Sequence, residues 1–300
     1  MNNIYLTGFA DEAGASLETQ IRATSEIGWS HIEMRNVQTG DFPAGNLHDI
    51  SDAAFEEVVE KLATAGVSVN SFGSAIANGA KKIEDPFEIT LAEVRRAIPR
   101  MQRLGTKLIR IMSYPIRKDA DQMKEERFHR LREIQKMFGD AGLIPVHENC
   151  GNYGGMSWKH TLELLENVPG LKLVYDTGNP VYDDDYSNLE PRPKQSSWEF
   201  YTHVREHIAY VHIKDGIFDT AANKLQWCFP GEGQGDVRRI LKDLLQTGYT
   251  GGISIEPHMG PGASDPALTR EENCYRTYVE YGHRLEGLMA EARAGLASVP

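Results

Sequence analysis

The stretch Gly142-Leu143-Ile144-Pro145-Val146-His147-Glu148 is a short apolar run that opens after a glycine and ends on a carboxylate. Three later runs repeat the design, with 171–175 leading to Asp176, 208–211 to His212 and 252–255 to Glu256. Runs of this length, rich in Val and Ile and bounded by Gly, Pro or Asn, read as β-strands. Three carboxylates and one imidazole therefore stand at the C-terminal tips of four successive strands. A single acid after a strand is ordinarily a turn or capping residue. Four candidate ligands in succession are a much rarer coincidence. Brought together, three buried carboxylates repel one another. A divalent cation relieves that repulsion, and oxygen donors with one imidazole suit it.

Working outward, the same reading predicts earlier strands over 4–9, 31–35, 67–72 and 107–112. Helix-period segments alternate with all eight, over 17–27, 51–65, 86–104, 120–141, 158–167, 196–206, 237–247 and 267–294. Ser51 stands where an N-cap belongs, and Gly66, Gly105 and Gly142 close the helices before them. Eight βα units in 300 residues predict one α/β domain over 1–300, a (β/α)8 TIM barrel with a C-terminal helical extension. The alternative, an open doubly wound sheet, lacks its fingerprint: no Gly-x-Gly-x-x-Gly follows the first strand and no Walker sequence occurs. Gly231-Glu232-Gly233-Gln234-Gly235 follows a long loop in this reading, and is taken as a loop over the site rather than a phosphate cradle.

Side chains alternate across a strand, so parity separates the barrel interior from the helix-facing side. Ile253 and Ile255 share one face, leaving Gly252, Ser254 and Glu256 inward. Val211 and Ile213 go outward, leaving Tyr210, His212 and Lys214 inward. Ile32 and Met34 go outward, leaving His31, Glu33 and Arg35 inward. The sixth strand is less clean, with Leu173 and Tyr175 on one face and Val174 and Asp176 on the other. Glu33 and Arg35 either pair with each other or contact a substrate. Trp158, Trp227 and Phe229 are candidate flat surfaces for a sugar ring, with core packing the competing role for Trp158. The run Asp183-Asp184-Asp185 reads as a solvated loop.

Hydrophobic content is 40%, charged content 25% and the net charge −11. An acidic chain without a basic face argues against nucleic acid as a partner. Cys150, Cys228 and Cys274 are odd in number and far apart, which argues against a disulfide framework and structural zinc. No apolar stretch is long enough to span a bilayer, so no membrane role is expected. The N-terminus has neither a basic region nor an apolar core of a signal segment, and the expected location is cytoplasmic.

These residues resemble the sugar phosphate isomerase/epimerase group of xylose isomerase-like TIM barrels. The resemblance rests on Thr7-Gly8-Phe9-Ala10-Asp11-Glu12, Ile32-Glu33-Met34-Arg35, Val146-His147-Glu148-Asn149, Tyr175-Asp176-Thr177-Gly178-Asn179, Tyr210-Val211-His212-Ile213-Lys214-Asp215, Pro230-Gly231-Glu232-Gly233 with Gly235-Asp236-Val237, and Ile253-Ser254-Ile255-Glu256-Pro257-His258. It implies Glu148, Asp176, His212 and Glu256 as ligands of one divalent metal ion, usually Mn²⁺ and in some members Mg²⁺, Co²⁺ or Zn²⁺. It also implies Glu148 and Glu256 as the catalytic acid/base pair. Glu33, Arg35, Asn149, Asn179, Lys214 and His258 are then the candidates for substrate binding. Many relatives carry His where this chain has Asn179, a departure that weakens transfer of epimerase detail and argues against the three-zinc DNA-repair arrangement. The implied activity is a metal-dependent sugar isomerase or epimerase, abstracting a proton next to a carbonyl through a metal-stabilised enediolate. The alternative is a lyase, a dehydratase or 3-keto-glycoside-cleaving enzyme using the same site. The partner is a small sugar or sugar derivative, and relatives often form dimers or tetramers, so the likeness extends to a homo-oligomer.

Overall fold

A computed structural model describes residues 4–260 and 265–297. Eight parallel strands form a (β/α)8 TIM barrel: β1 Tyr5–Gly8, β2 His31–Met34, β3 Ser68–Phe72, β4 Leu108–Ile111, β5 Ile144–Glu148, β6 Lys172–Asp176, β7 Ile208–Ile213 and β8 Gly252–Ile255. They are hydrogen-bonded in the order β1-β8-β7-β6-β5-β4-β3-β2. A parallel bridge between Phe9 and Glu33 brings β1 back to β2 and nearly closes the ring. The helices that follow the strands around the barrel are α1 Leu17–Glu26, α2 Asp52–Ala65, α3 Phe87–Leu104, α4 Lys124–Asp140, α5 Trp158–Asn167, α6 Ser197–Val204, α7 Val237–Gln246 and α8 Arg270–Ala297, with a further single turn at Asn179–Tyr182.

Local chemistry sets the helix ends. Ser51 accepts a hydrogen bond from the Ala54 N–H at 3.2 Å and caps α2. Gly66 ends that helix in the left-handed region, with φ 68°, where a glycine has no Cβ to clash. α4 starts at Lys124 rather than near 120, because Met123 itself is left-handed, with φ 49°, and its N–H is taken by Asp121 Oδ1. α8 occupies the eighth helical position and runs for 28 residues, with Tyr275, Tyr278, Tyr281 and Leu285 buried.

The two sides of the sheet carry different cores. Ile32, Met34, Ile109, Ile111, Val211, Ile213, Ile253 and Ile255 pack outward with the helices. Val146, Val174 and Tyr210 fill the barrel interior as a separate cluster. The ambiguous sixth strand resolves the same way, with Leu173 and Tyr175 in the outer core and Val174 and Asp176 inside. The segment before the glycine-rich loop differs from expectation. It is an antiparallel hairpin, Asp215–Asp219 with Lys224–Cys228, rather than a long loop. Its outer face is solvated, Ile217 being exposed, so no apolar run announces it.

Candidate metal centre

Parity turns the last residues of β5 and β6, His212 of β7 and Glu256 just after β8 toward the barrel axis. Glu148, Asp176, His212 and Glu256 are all buried, and one donor atom from each lies within 4.8 Å of the others. Two of those atoms lack partners. His212 Nδ1 is buried with no hydrogen bond, 3.8 Å from Glu148 Oε1 and 3.9 Å from Glu256 Oε2. Asp176 Oδ2 likewise has no aligned hydrogen bond, although Lys214 Nζ sits 3.1 Å away as an ion-pair partner. Buried polar atoms ordinarily find partners, so exceptions mark a place for a ligand. Three carboxylates and one imidazole whose donor atoms converge fit a divalent cation.

A second layer aims these donors. His212 donates from Nε2 to Glu33 Oε2 at 3.1 Å, which leaves Nδ1 to face the cluster. Histidine ligands are typically oriented by such a carboxylate. Glu148 Oε2 accepts from Arg110 Nη1 at 2.9 Å, and Glu256 Oε1 accepts from Arg35 Nη1 at 2.9 Å. Each glutamate is thus gripped by one arginine through one oxygen, and both guanidiniums lie over the Phe9 ring. Glu256 Oε2 also accepts from Lys214 Nζ at 2.9 Å. Asp176 Oδ1 accepts from the N–H groups of Gly178 and Asn179.

These neighbours set the titration of the cluster. Burial raises the Glu148 carboxyl, but Arg110 and His212 outweigh it and hold it at about 2. Burial likewise opposes ionisation of Glu256, and Lys214, His258 and Arg35 pull it well below the usual range. Asp176 goes the other way: burial, reinforced by Glu256 and Glu148 and opposed by Lys214, lifts it to about 6. Burial disfavours charge on His212, but Glu33 and Glu148 carry it up to about 10. A cation entering here must displace that proton, because a metal ligand donates as the neutral imidazole.

The expected substrate contacts divide into two groups. Lys214, Arg35 and His258 reach the cluster; His258 Nε2 lies 3.2 Å from Glu256 Oε1, and its backbone is left-handed, with φ 52°. Glu33, Asn149 and Asn179 are instead bonded to His212, Asp176 and Glu148 of the cluster. Glu33 is fully buried and bonded to Ser71 and His212, while Arg35 engages Asp11, Glu12 and Glu256 rather than Glu33. Asn149 commits both ends of its amide to the Asp176 backbone, at 2.7 and 3.0 Å. Asn179 donates to Glu148 Oε1 and to the Asn149 carbonyl. Of the aromatic candidates, Trp227 lies beside the site, edge-on to Tyr182 and His258. Trp158 stacks on His203 between helices, and Phe229 packs on Tyr281. Arg110 was not foreseen; its signal is a lone cation at inward parity in Leu108-Ile109-Arg110-Ile111. Asp215 was not foreseen either. Its carboxylate accepts the N–H groups of Gly216, Gly231, Gly233 and Gly235 at 2.8–3.0 Å, which fixes the glycine-rich loop beside Lys214.

A family model described as xylose isomerase-like TIM barrel matches residues 21–275. The inosose dehydratase of Bacillus licheniformis is 28% identical over 176 residues, covering 49% of this chain. The chain spans about half the length of that relative, 54%. The inosose dehydratase of Bacillus velezensis is 23% identical over 287 residues, covering 80% of this chain and 89% of that enzyme. Among solved structures, a D-tagatose 3-epimerase-like protein matches with TM-score 0.68 at 16% identity, covering 97% of this chain and 99% of that one. At that identity the likeness bears on the fold alone. No helix among the described residues is long and apolar enough to cross a membrane.

Proposed function

The chain belongs to the xylose isomerase-like TIM barrel family, and from that premise we propose that it is a metal-dependent enzyme removing a proton beside the carbonyl of an uncharged keto-polyol, with loss of water as the outcome. One observation carries this reading: Glu148 and Glu256 are each clamped through one oxygen by an arginine, while their other oxygens face the unpartnered Nδ1 of His212. Glu148, Asp176, His212 and Glu256 would hold the ion, and the hard donor set favours Mn²⁺, then Mg²⁺. When bound, a divalent ion supplies Lewis acidity that favours negative charge on a carbonyl oxygen.

The remaining steps belong to the side chains. Glu148 or Glu256 accepts the proton on its inner oxygen, its outer oxygen being fixed by Arg110 or Arg35. The C–H electron pair forms the enediolate of the substrate. The same glutamate then gives that proton to the hydroxyl on the next carbon; water leaves, the enediolate's electron pair forms the new C=C bond, and the second glutamate stays ionised throughout. Lys214 holds its charge, since Asp176 and Glu256 outweigh the burial that opposes it. Trp227 and Tyr182 supply an apolar wall.

The pairing of cations supports an uncharged substrate. Arg35, Arg110, Lys214 and His258 all contact carboxylates of the site. Among the described residues, the site thus offers a phosphate or carboxylate no cation that is not already paired. Dehydration is favoured by the curated relatives; proton return to the opposite face, giving an epimer, is the second reading, favoured by the presence of two carboxylates at one centre. Protein loaded with Mn²⁺ is incubated in D₂O with a panel of keto-inositols and ketoses, read by NMR and mass spectrometry. Loss of water supports the first outcome and a deuterated isomer the second. Absence of C–H exchange in every neutral keto-polyol refutes both.

A further inference from the structure

A second set of donors gathers where the loop after β2 meets α3, outside the strand tips. His48 in that loop is fully buried, and its Nε2 has no hydrogen-bond partner. Glu93 of α3 is buried as well; its Oε1, held by Lys81 Nζ at 2.9 Å, lies 3.9 Å from His48 Nε2, and its Oε2 has no partner. Asp49 pairs with Arg96 through Oδ1, which leaves Oδ2 3.5 Å from His48 Nε2. Ligand atoms of all three lie within 4.8 Å of one another.

Hydrogen bonding fixes the imidazole tautomer. Asn46 donates from Nδ2 to the Gly73 carbonyl at 3.1 Å, so its Oδ1 faces His48 Nδ1. Nδ1 therefore carries the proton, and Nε2 is left with a lone pair directed at two carboxylates. A lone pair and a carboxylate oxygen buried without donors are each costly. We propose that His48, Asp49 and Glu93 form a second divalent cation site, one that ties the loop after β2 to α3. In His48 and Asp49 the second polar atom is already occupied, by Asn46 and Arg96, the arrangement that orients metal ligands, while Glu93 keeps one oxygen without a partner. One imidazole and two oxygens select Zn²⁺, Co²⁺ or Ni²⁺ over Mg²⁺ or Ca²⁺. The Asp49 side chain, 38% exposed, leaves an entry path from solvent and room for water to complete the coordination.

The competing occupant is a proton on Nε2, which would convert the same three groups into an ion-paired cluster. Wild type, Asp176→Asn, His48→Gln and Asp49→Asn are stripped with chelator, loaded with Co²⁺, freed of excess ion by gel filtration and assayed for cobalt. Wild type is expected to retain one equivalent more than His48→Gln or Asp49→Asn, and Asp176→Asn to keep that same equivalent. Equal cobalt in wild type, His48→Gln and Asp49→Asn overturns the proposal, whatever Asp176→Asn shows. Loss confined to Asp176→Asn concerns the barrel centre alone and likewise overturns a second site. Should His48→Gln fail to fold, Asp49→Asn at an exposed position decides.

Discussion

Replacing Glu33 by glutamine probes the layer beneath the metal centre. The carboxylate lies 3.1 Å from His212 Nε2 and touches the Ser71 hydroxyl at 3.0 Å. Glutamine preserves the shape and an acceptor oxygen but removes the charge. A hydrogen bond to a charged group contributes about 1.5–3 kcal/mol and a neutral one about 0.5–1.5. The difference, about 1–1.5 kcal/mol, is roughly five- to tenfold in a binding constant. Mn²⁺ affinity, measured by competition with a chelator, should therefore fall roughly five- to tenfold in Glu33→Gln. It should fall toward a hundredfold in Glu33→Ala, where the imidazole N–H and the serine hydroxyl lose their partner altogether. Unchanged Mn²⁺ affinity in a folded Glu33→Ala protein would refute the reasoning. A raised KM with intact metal binding would return Glu33 to the role of a substrate contact.

Three further outcomes are expected. His147 is fully buried, and burial, only partly opposed by Asn152 and Glu148, pushes it down to about 4. The unfolded imidazole, near 6.5, binds a proton the folded one refuses, so stability falls as pH drops through 6.5 and levels off below about 4. The loss is up to about 3 kcal/mol, and urea midpoints between pH 7.5 and 4.5 should vary less steeply in His147→Gln than in wild type. Arg127, fully buried, donates to the carbonyls of Ser113, Tyr114, Pro115 and Gln122; Arg127→Met strands them and should lower stability by about 3 kcal/mol or more, read by urea denaturation. An added Cβ at Gly155 would sit 1.7 Å from the Cys150 carbonyl oxygen, so Gly155→Ala must shift the backbone that carries Asn149 and Glu148. About a hundredfold loss of turnover is expected, and near wild-type turnover would show that the loop does not set the glutamate's position.

The strand tips were legible because inward parity and outward apolar packing are separate signals that agree. Ile253 and Ile255 mark the outer face of β8 whatever Glu256 does, and Val211 and Ile213 do the same for His212. Glu33 shows the limit of that logic. Parity places it inside the barrel but cannot say how deep, and depth separates a residue under a ligand from one beside a substrate. Asn149 and Asn179 are ambiguous for a related reason, since an amide reads equally well as a sugar contact or as a clamp on neighbouring backbone. Arg110 was hidden by its strand, where one cation among Leu and Ile looks like an edge residue. Its partner, Glu148, lies 38 positions away. The hairpin of 215–228 escaped because a two-stranded ribbon with a wet outer face carries little apolar periodicity.

The grip of Asp215 on four amides has a consequence for redesign. Glycines 231, 233 and 235 are tied down through their main chain, so the side chain at position 232 is decoupled from the shape of the loop. Glu232 points to Arg284 and Gln234 to the Phe218 amide. Position 232 is therefore a ready-made library site, where new side chains can be installed while the backbone beneath stays anchored, provided Gln234 keeps its hold on the Phe218 amide.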